Sequence, residues 1–567
     1  MKNQILLILI GFACNFLATL SIAEELTPDF FESHLRRIIT QNQGKKHFEC
    51  HSELICGIAE LPRFYFNRAY RPAWINITGP LPRIYDLISC IRYSQHEGLQ
   101  PYDYHLSAIQ TLLQEIQQRS KLQKPLDTQS LLDLELLCTD AFLLLASHLA
   151  AGRVNPETIH SKWIVNIPEA QLAVLLQKAI ESDRIKASLK GLIPPHTGYH
   201  ALGDELARYR RLAKSFKESP ISPGPVLHRG NRDHRVQQIR ERLHVFGDLD
   251  SKHTSEPELF EEELEAAILR FQKRHGLKAD GVVGKRTLAA LNVSLKDRFR
   301  QIELNIERWR WIPHDLGERY LLVNIADFKL TIVENHQKVI DMNVVVGRNY
   351  RHTPVFSDVI KYIVINPYWN VPTSIAVKDL LPKIKNDETY FQKMRFKVFD
   401  GWDKDAAELD AASIDWSMIT PQNFVFRLRQ EAGPLNALGR IKFVFPNRFA
   451  VYLHDTPSKN LFKRTRRGFS SGCIRLERPI DLAAYLLQGQ AGWTHASIAS
   501  AIDSHERKVL PLKAKVHIHL LYWTAWVDKS GILNFRDDIY ERDLPLAAAL
   551  KERPPRIIRK VKLDNMS

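Results

Sequence analysis

Apolar positions change their period along the chain, and the changes divide it. From residue 24 to about 220 the pattern is mostly helical. Its most apolar stretch, Leu131–Ala151, is rich in Leu and Ala, stops at Gly152, and is interrupted by Asp133, Glu135 and Asp140 too often for a membrane span. A buried helix of a bundle is expected there. Leu189–Leu212 is expected to close this region as one helix, before a Pro/Gly-rich linker at Ser219–Pro225. In the next unit, about 226 to 294, Leu264, Ala267, Ile268 and Phe271 fall at i, i+3, i+4 and i+7, a single apolar stripe that ends at His275-Gly276. A turn, Asp280–Gly284, leads into a short helix at Thr287–Leu291. From about residue 300 the period shortens. Tyr320–Val333 and Lys338–Val346 are β-branched and flank a polar turn, which predicts a hairpin. Lys361–Asn366, Asn423–Arg429, Ile441–Phe445 and Ala450–His454 are further expected strands. Val377–Gln422 is polar and helical in pattern and interrupts the sheet. The fold class expected is multidomain α+β.

The chemistry concentrates in Val451–Leu476, where His454 and Cys473 lie nineteen residues apart. On a strand, Tyr452 and His454 share one face while Val451 and Leu453 take the other. Ser470-Ser471-Gly472-Cys473 allows a sharp turn with exposed amide N–H groups. A thiol serves as a nucleophile only as thiolate, and a nearby imidazole together with the Arg475 cation is expected to lower its pKa. Acyl transfer is the chemistry implied. Taken by type alone, however, a single Cys and a single His are more often packing groups than catalysts.

His454-Asp455-Thr456 followed by Ser470-Ser471-Gly472-Cys473-Ile474-Arg475 resembles the active-site signature of the L,D-transpeptidases, with one departure: Ser471 stands where most members carry a second His. That substitution matches the large, scaffold-bearing Gram-negative branch and leaves His454 as the base candidate. Asn366–Pro372 is similar to the family element bordering the cleft, which places Trp369 beside it. FQKRHGLKADGVVGKRTLAALN, from Phe271, is similar to a small three-helix peptidoglycan-binding module; whether it binds glycan or only packs on its neighbours stays open. Phe64–Trp74, Glu97–His105 and Asp140–Pro156 resemble the family's N-terminal scaffold. The resemblance implies a helical scaffold at 24–220, the module at 226–294 and a mainly β catalytic domain at 300–545 with a helical capping insertion at 377–422; a signal peptide at 1–23 and a basic tail at 546–567 are expected on either side.

At 567 residues the chain is too long for one core, and its charge of +15 favours an anionic partner. No zinc-finger spacing or aromatic RNA-binding signature supports nucleic acid. Lys2, the apolar runs Ile5–Ile10 and Phe16–Leu20, and Ser21-Ile22-Ala23 form a secretory signal, with an uncleaved inner-membrane anchor as the alternative. Export to the periplasm is therefore expected. Without Cys14, the odd set Cys50, Cys56, Cys90, Cys138 and Cys473 leaves at least one thiol unpaired. Cys50 and Cys56 are close enough for a local disulfide or stand as two free thiols; zinc on His47, Cys50, His51 and Cys56 matches no standard spacing, and His517 and His519, on one side of a strand, are two ligands that do not close a metal site. The run Lys463–Arg467 is either a solvated loop or a rim attracting carboxylates.

What the resemblance implies is a peptidoglycan L,D-transpeptidase without metal or organic cofactor. Cys473 would attack a tetrapeptide donor, His454 would move the proton, and a diaminopimelate-containing acceptor would complete a 3-3 cross-link with loss of D-alanine. Gly472, Cys473 and Tyr452 are the oxyanion candidates; Ser471, Arg475 and Trp369 are substrate-binding candidates. An L,D-carboxypeptidase using the same cysteine and a non-catalytic wall-binding scaffold are the rival functions, and other cell-wall synthesis enzymes are further candidate partners.

Overall fold

The computed structural model describes residues 27–45, 48–164 and 171–557, so the expected signal segment, His47 and the last ten residues of the tail lie outside it. The chain divides into two compact units. One comprises the described residues up to Ile88 with His105–Leu143 and Ala173–Ile185; the other comprises Ser89–Tyr104, Leu144–Leu172 and the chain from Lys186 onward. The expected scaffold segment thus contributes to both.

The helix Thr128–Ala151, which belongs to the first unit as far as Leu143, is long and apolar enough to cross a membrane, yet its apolar window is wholly buried in protein. Its acidic residues explain why it suits a protein interior. Glu135 accepts the backbone N–H groups of Ala73 (2.6 Å), Trp74 (2.7 Å) and Ile75 (3.2 Å) and the Tyr65 hydroxyl (2.8 Å). A buried carboxylate needs that many donors to offset its lost hydration. Phe64, Tyr65 and Trp74 are fully buried and pack, whereas Phe66 in the same stretch is exposed. Asp140 holds the Cys56 and Gly57 N–H groups at 3.0 and 2.5 Å and His105 Nε2 at 2.8 Å, while His105 Nδ1 meets Glu53 at 3.0 Å. Burial opposes the His105 charge, but these two carboxylates outweigh it and raise its pKa to about 9. Cys50 and Cys56 are free thiols, the open alternative to a disulfide. The Cys50 Sγ donates to Asp133 Oδ1 at 3.4 Å, and burial pushes the Cys56 thiol up to about 12.

The second unit holds the module and the β domain. The expected single helix at Leu189–Leu212 is two, Ile185–Lys190 and Thr197–Ser215, because Pro194-Pro195 breaks the run. The module's helices are Arg235–Phe246, Glu262–Arg274 and Lys285–Leu291, the second ending where Gly276 takes a left-handed φ of 63°. A further helix, Leu295–Trp309, N-capped by Ser294, carries helical structure past the expected boundary at 300. Strands begin at β1 (Arg319–Asn324), followed by β2 (Lys329–Glu334), β3 (Gln337–Gly347) and β4 (Phe356–Ile365). Tyr320–Val333, expected as one strand, is two, folded back at a turn in which Phe328 takes a φ of 55°.

Next come β5 (Trp369–Asn370), β6 (Phe396–Phe399), β7 (Glu408–Leu409), β8 (Arg427–Gln430), β9 (Ile441–Val444), β10 (Leu453–His454), β11 (Gly468–Ser470), β12 (Ile474–Leu476) and β13 (Lys508–Leu521). The main sheet runs β11–β3–β12–β10–β9–β4–β13–β1–β2, and the β2–β3 pairing closes it on itself. Its inward side chains, among them Ile363, Phe443, Leu453 and Ile474, form one core with the helix Pro479–Leu486. The insertion differs from a purely helical cap. It contains β6 and β7, which join β8 and β5 in a four-stranded sheet β7–β6–β8–β5 over a small core of its own, so it spans more than 377–422. Phe396-Lys397-Val398-Phe399 alternates, but a four-residue strand amid polar helical sequence is a weak pattern. The tail is also ordered at its start: Arg153 binds the Leu550 and Glu552 carbonyls, and His148 Nε2 meets the Arg556 carbonyl at 3.0 Å.

Candidate active site

β10 and β12 are adjacent and parallel, pairing Leu453 with Ile474 and His454 with Arg475. That register brings two chain segments nineteen residues apart to one end of the sheet. Here a cavity of about 820 Å³ opens, lined by Trp369, Tyr452, His454, Ser471, Cys473 and Arg475 together with insertion residues such as Asp379. Tyr452 and His454 do share a face, their ring centroids 5.8 Å apart.

The turn before the cysteine is held at nearly every polar atom. Ser470 Oγ donates to the Cys473 carbonyl (2.5 Å) and accepts from the Gly472 N–H (3.1 Å), while Thr353 Oγ1 donates to the Gly472 carbonyl (2.8 Å). Gly472 sits at φ 123°, a conformation a side chain resists. Its N–H is therefore engaged by Ser470 and is not a free oxyanion donor as expected. Among the described residues no acceptor meets the Cys473 N–H.

His454 is 4% exposed, and its Nδ1 lies 2.5 Å from the Asp455 carbonyl. Because that oxygen only accepts, Nδ1 carries the proton in the neutral ring and Nε2 keeps the lone pair. Burial, then the Arg475 cation, depresses its pKa to about 3. Among the described residues no hydrogen bond joins His454 to Cys473. The Cys473 thiol is raised, not lowered as the sequence led us to expect: burial outweighs the Tyr452 N–H and hydroxyl, the Lys442 ammonium and Arg475, which all favour thiolate. The resting pair is a neutral thiol beside a neutral imidazole.

The Tyr452 N–H and hydroxyl face the Cys473 sulfur, and the Trp369 indole N–H is directed at that hydroxyl. Arg475 is half-buried on the cavity wall, and among the described residues its buried Nε has no hydrogen-bond partner. Ser471 is exposed and accepts from Arg351 Nη1 at 2.7 Å; Arg351 also makes a two-pronged ion pair with Asp379 of the insertion. In the basic run, Arg467 is structural: its guanidinium donates to the Val344, Arg464 and Phe328 carbonyls, while Arg464 and Arg466 remain exposed. His519 spends both ring nitrogens on Ser357 Oγ and the Leu316 carbonyl, and no group of three metal-binding side chains occurs among the described residues.

Residues 318–500 match the family model of the L,D-transpeptidase catalytic domain. The chain carries an L,D-transpeptidase catalytic domain. Residues 59–206 match a scaffold domain, and 232–291 match a "Putative peptidoglycan binding domain". A Haemophilus influenzae protein named "Putative L,D-transpeptidase" is 36% identical over 249 residues, which are 44% of this chain and 49% of that relative. The chain thus spans about half the length of this curated relative. Among solved structures, an L,D-transpeptidase from Xylanimonas cellulosilytica is 17% identical, covering 53% of this chain and 99% of that one at a TM-score of 0.16. An L,D-transpeptidase from Mycobacterium smegmatis is 11% identical, covering 36% and 58% at 0.17. Superpositions this slight say nothing about the site.

Lys442, Arg351 and Asp379 escaped sequence reasoning. In the catalytic domain Lys442 pairs directly opposite His454, and its Nζ stands 3.7 Å from the centroid of the Tyr452 ring. The signal available was a lone Lys between Ile441 and Phe443, on the polar face of a buried strand. For Arg351 and Asp379, distant in sequence and of ordinary surface type, there was none.

Proposed function

We propose that this protein is a periplasmic peptidoglycan L,D-transpeptidase that makes 3-3 cross-links through a thioester on Cys473. The observation that carries the reading is the single cavity wall bearing Cys473, His454, Tyr452 and Arg475, inside the segment that matches the catalytic domain. Cys473 Sγ forms a bond to the carbonyl carbon at the L-centre of the donor's diaminopimelate as its proton passes to His454 Nε2. The imidazolium so formed has the Asp455 carbonyl, and that of Leu438, as acceptors. The tetrahedral oxyanion is steadied by the Cys473 N–H. Breaking the C–N bond, with the proton returned to nitrogen, releases D-alanine and leaves the thioester. The amine of a second stem then attacks, its proton leaves by the same base, and the thiol is restored. Arg475 is placed to hold a stem carboxylate with its unpartnered guanidinium edge. The chemistry asks for no cofactor.

The test is product analysis after the mature protein meets a disaccharide-tetrapeptide, beside Cys473→Ala. Dimers lacking one alanine, absent with the variant, are the expected result. Tripeptide monomers alone would instead assign a carboxypeptidase, and unchanged substrate with both proteins would favour a binding scaffold.

A further inference from the structure

A second polar cavity, of about 170 Å³, lies where the module meets the catalytic sheet and the loop leading to Cys473. Five cations line it, Arg286, Lys329, Arg466, Arg467 and Arg536, against two carboxylates, Asp327 and Asp537. Two of the cations are committed. Arg467 is saturated by backbone carbonyls, and Arg536 Nε donates to Asp327 at 2.7 Å. Lys329 is shared with Asp341 at 3.0 Å, and Arg286 stands 3.7 Å from Asp537 with half of its side chain exposed. Arg466 is exposed, and among the described residues no carboxylate lies within ion-pair distance of it. His275, also on the wall, is held neutral by burial. The cavity therefore keeps a positive surplus, supplied by three separate stretches of chain. Its volume admits a carboxylate and a neighbouring short side chain rather than a disaccharide.

We propose that this cavity is a second, carboxylate-binding site that docks an anionic stem peptide of the wall polymer, so that the module and the loop before Cys473 bind together. The inference rests on peptidoglycan being the substrate. It answers what the sequence left open: the module engages the polymer through a cavity it shares with the catalytic domain. From Arg466 to Cys473 the chain extends at most about 25 Å, so a strand held here keeps neighbouring stems within reach of the cleft.

Full-length Cys473→Ala protein, which cannot turn over substrate, is sedimented with purified peptidoglycan sacculi at low and high salt, with and without Arg286→Glu and Arg466→Glu. Both positions are exposed, and an unchanged melting temperature controls for folding. The paired reversal is expected to weaken retention about tenfold at low salt, with the difference shrinking at high salt. In the Cys473-intact chain the same pair should leave D-alanine release from soluble disaccharide-tetrapeptide within about twofold, since neither residue lines the cleft. Unchanged retention overturns the proposal, as does equal loss of retention and D-alanine release. Phosphatidylglycerol vesicles that hold the protein better than sacculi, and lose it on the same reversal, overturn it in favour of a lipid phosphate. If the unsubstituted chain releases no D-alanine, the proposed function fails, and the sacculus result still decides the site.

Discussion

Lys442→Met separates reactivity from stability. The ammonium sits beneath Tyr452 and favours the Cys473 thiolate, yet burial lowers its own pKa below 10.5. At an effective dielectric near 20 and with partial solvent screening, such a cation is worth on the order of 1.4 kcal/mol to a nearby thiolate, or about one pKa unit. Met keeps the volume and removes the charge. Below the thiol pKa, one unit cuts the thiolate fraction about tenfold, while the more basic thiolate is intrinsically about threefold more nucleophilic. Iodoacetamide should therefore alkylate Cys473 about threefold to fourfold more slowly at pH 7.5. Stability should move the other way. A lysine whose folded pKa is depressed penalises the folded state below its unfolded pKa, so Lys442→Met should hold or raise the melting temperature. Alkylation at the unsubstituted rate, or slowed alkylation with a fallen melting temperature, would refute the reasoning, because the lysine would then act through packing.

Other outcomes follow from the same geometry. With His454 near 3 and the Cys473 thiol raised, alkylation of Cys473 should climb with pH as a single ionisation above 9 and show no step between 6 and 7; a plateau from pH 7 would indicate a preformed thiolate–imidazolium pair. His105 is raised to about 9, so its charge stabilises the fold fully below the unfolded pKa near 6.5 and loses that contribution as pH rises through 9. His105→Gln should accordingly cost up to about 3 kcal/mol at pH 6 in chemical denaturation, and the gap should close by pH 10. Asp379→Ala removes the insertion's partner of Arg351 and should speed labelling of Cys473 by a bulky maleimide relative to iodoacetamide; an unchanged ratio would mean the pair does not restrain the insertion.

The architecture was legible where periodicity was long or punctuation strong. The stripe ending at His275-Gly276 reappears as the expected helix and the run from Lys338 as a strand, and Tyr452 and His454 share a face although only Leu453–His454 is strand. Failures came where local pattern was weak or where tertiary terms decide. Phe396–Phe399 is too short to announce a strand, and the turn at Phe328 interrupts an apolar run without a Gly or Pro. The motif brought His454, Tyr452 and Cys473 to notice, but not their electrostatics. Whether a thiol beside two cations is raised or lowered depends on how much solvent it loses, which no spacing records. Lys442 is invisible until β9 pairs with β10 and sets it opposite His454. Likewise Gly472 offered an N–H in sequence, and only the folded turn shows Ser470 taking it.

Intact-protein mass spectrometry of the mature chain mixed with disaccharide-tetrapeptide, quenched in acid during turnover, tests the nucleophilic role of Cys473 most directly. The expected result is a transient adduct of the donor less its terminal D-alanine, mapped to Cys473, cleaved by hydroxylamine and absent from Cys473→Ala. An adduct retaining the alanine, one mapped elsewhere, or cross-linked product from Cys473→Ala would contradict it.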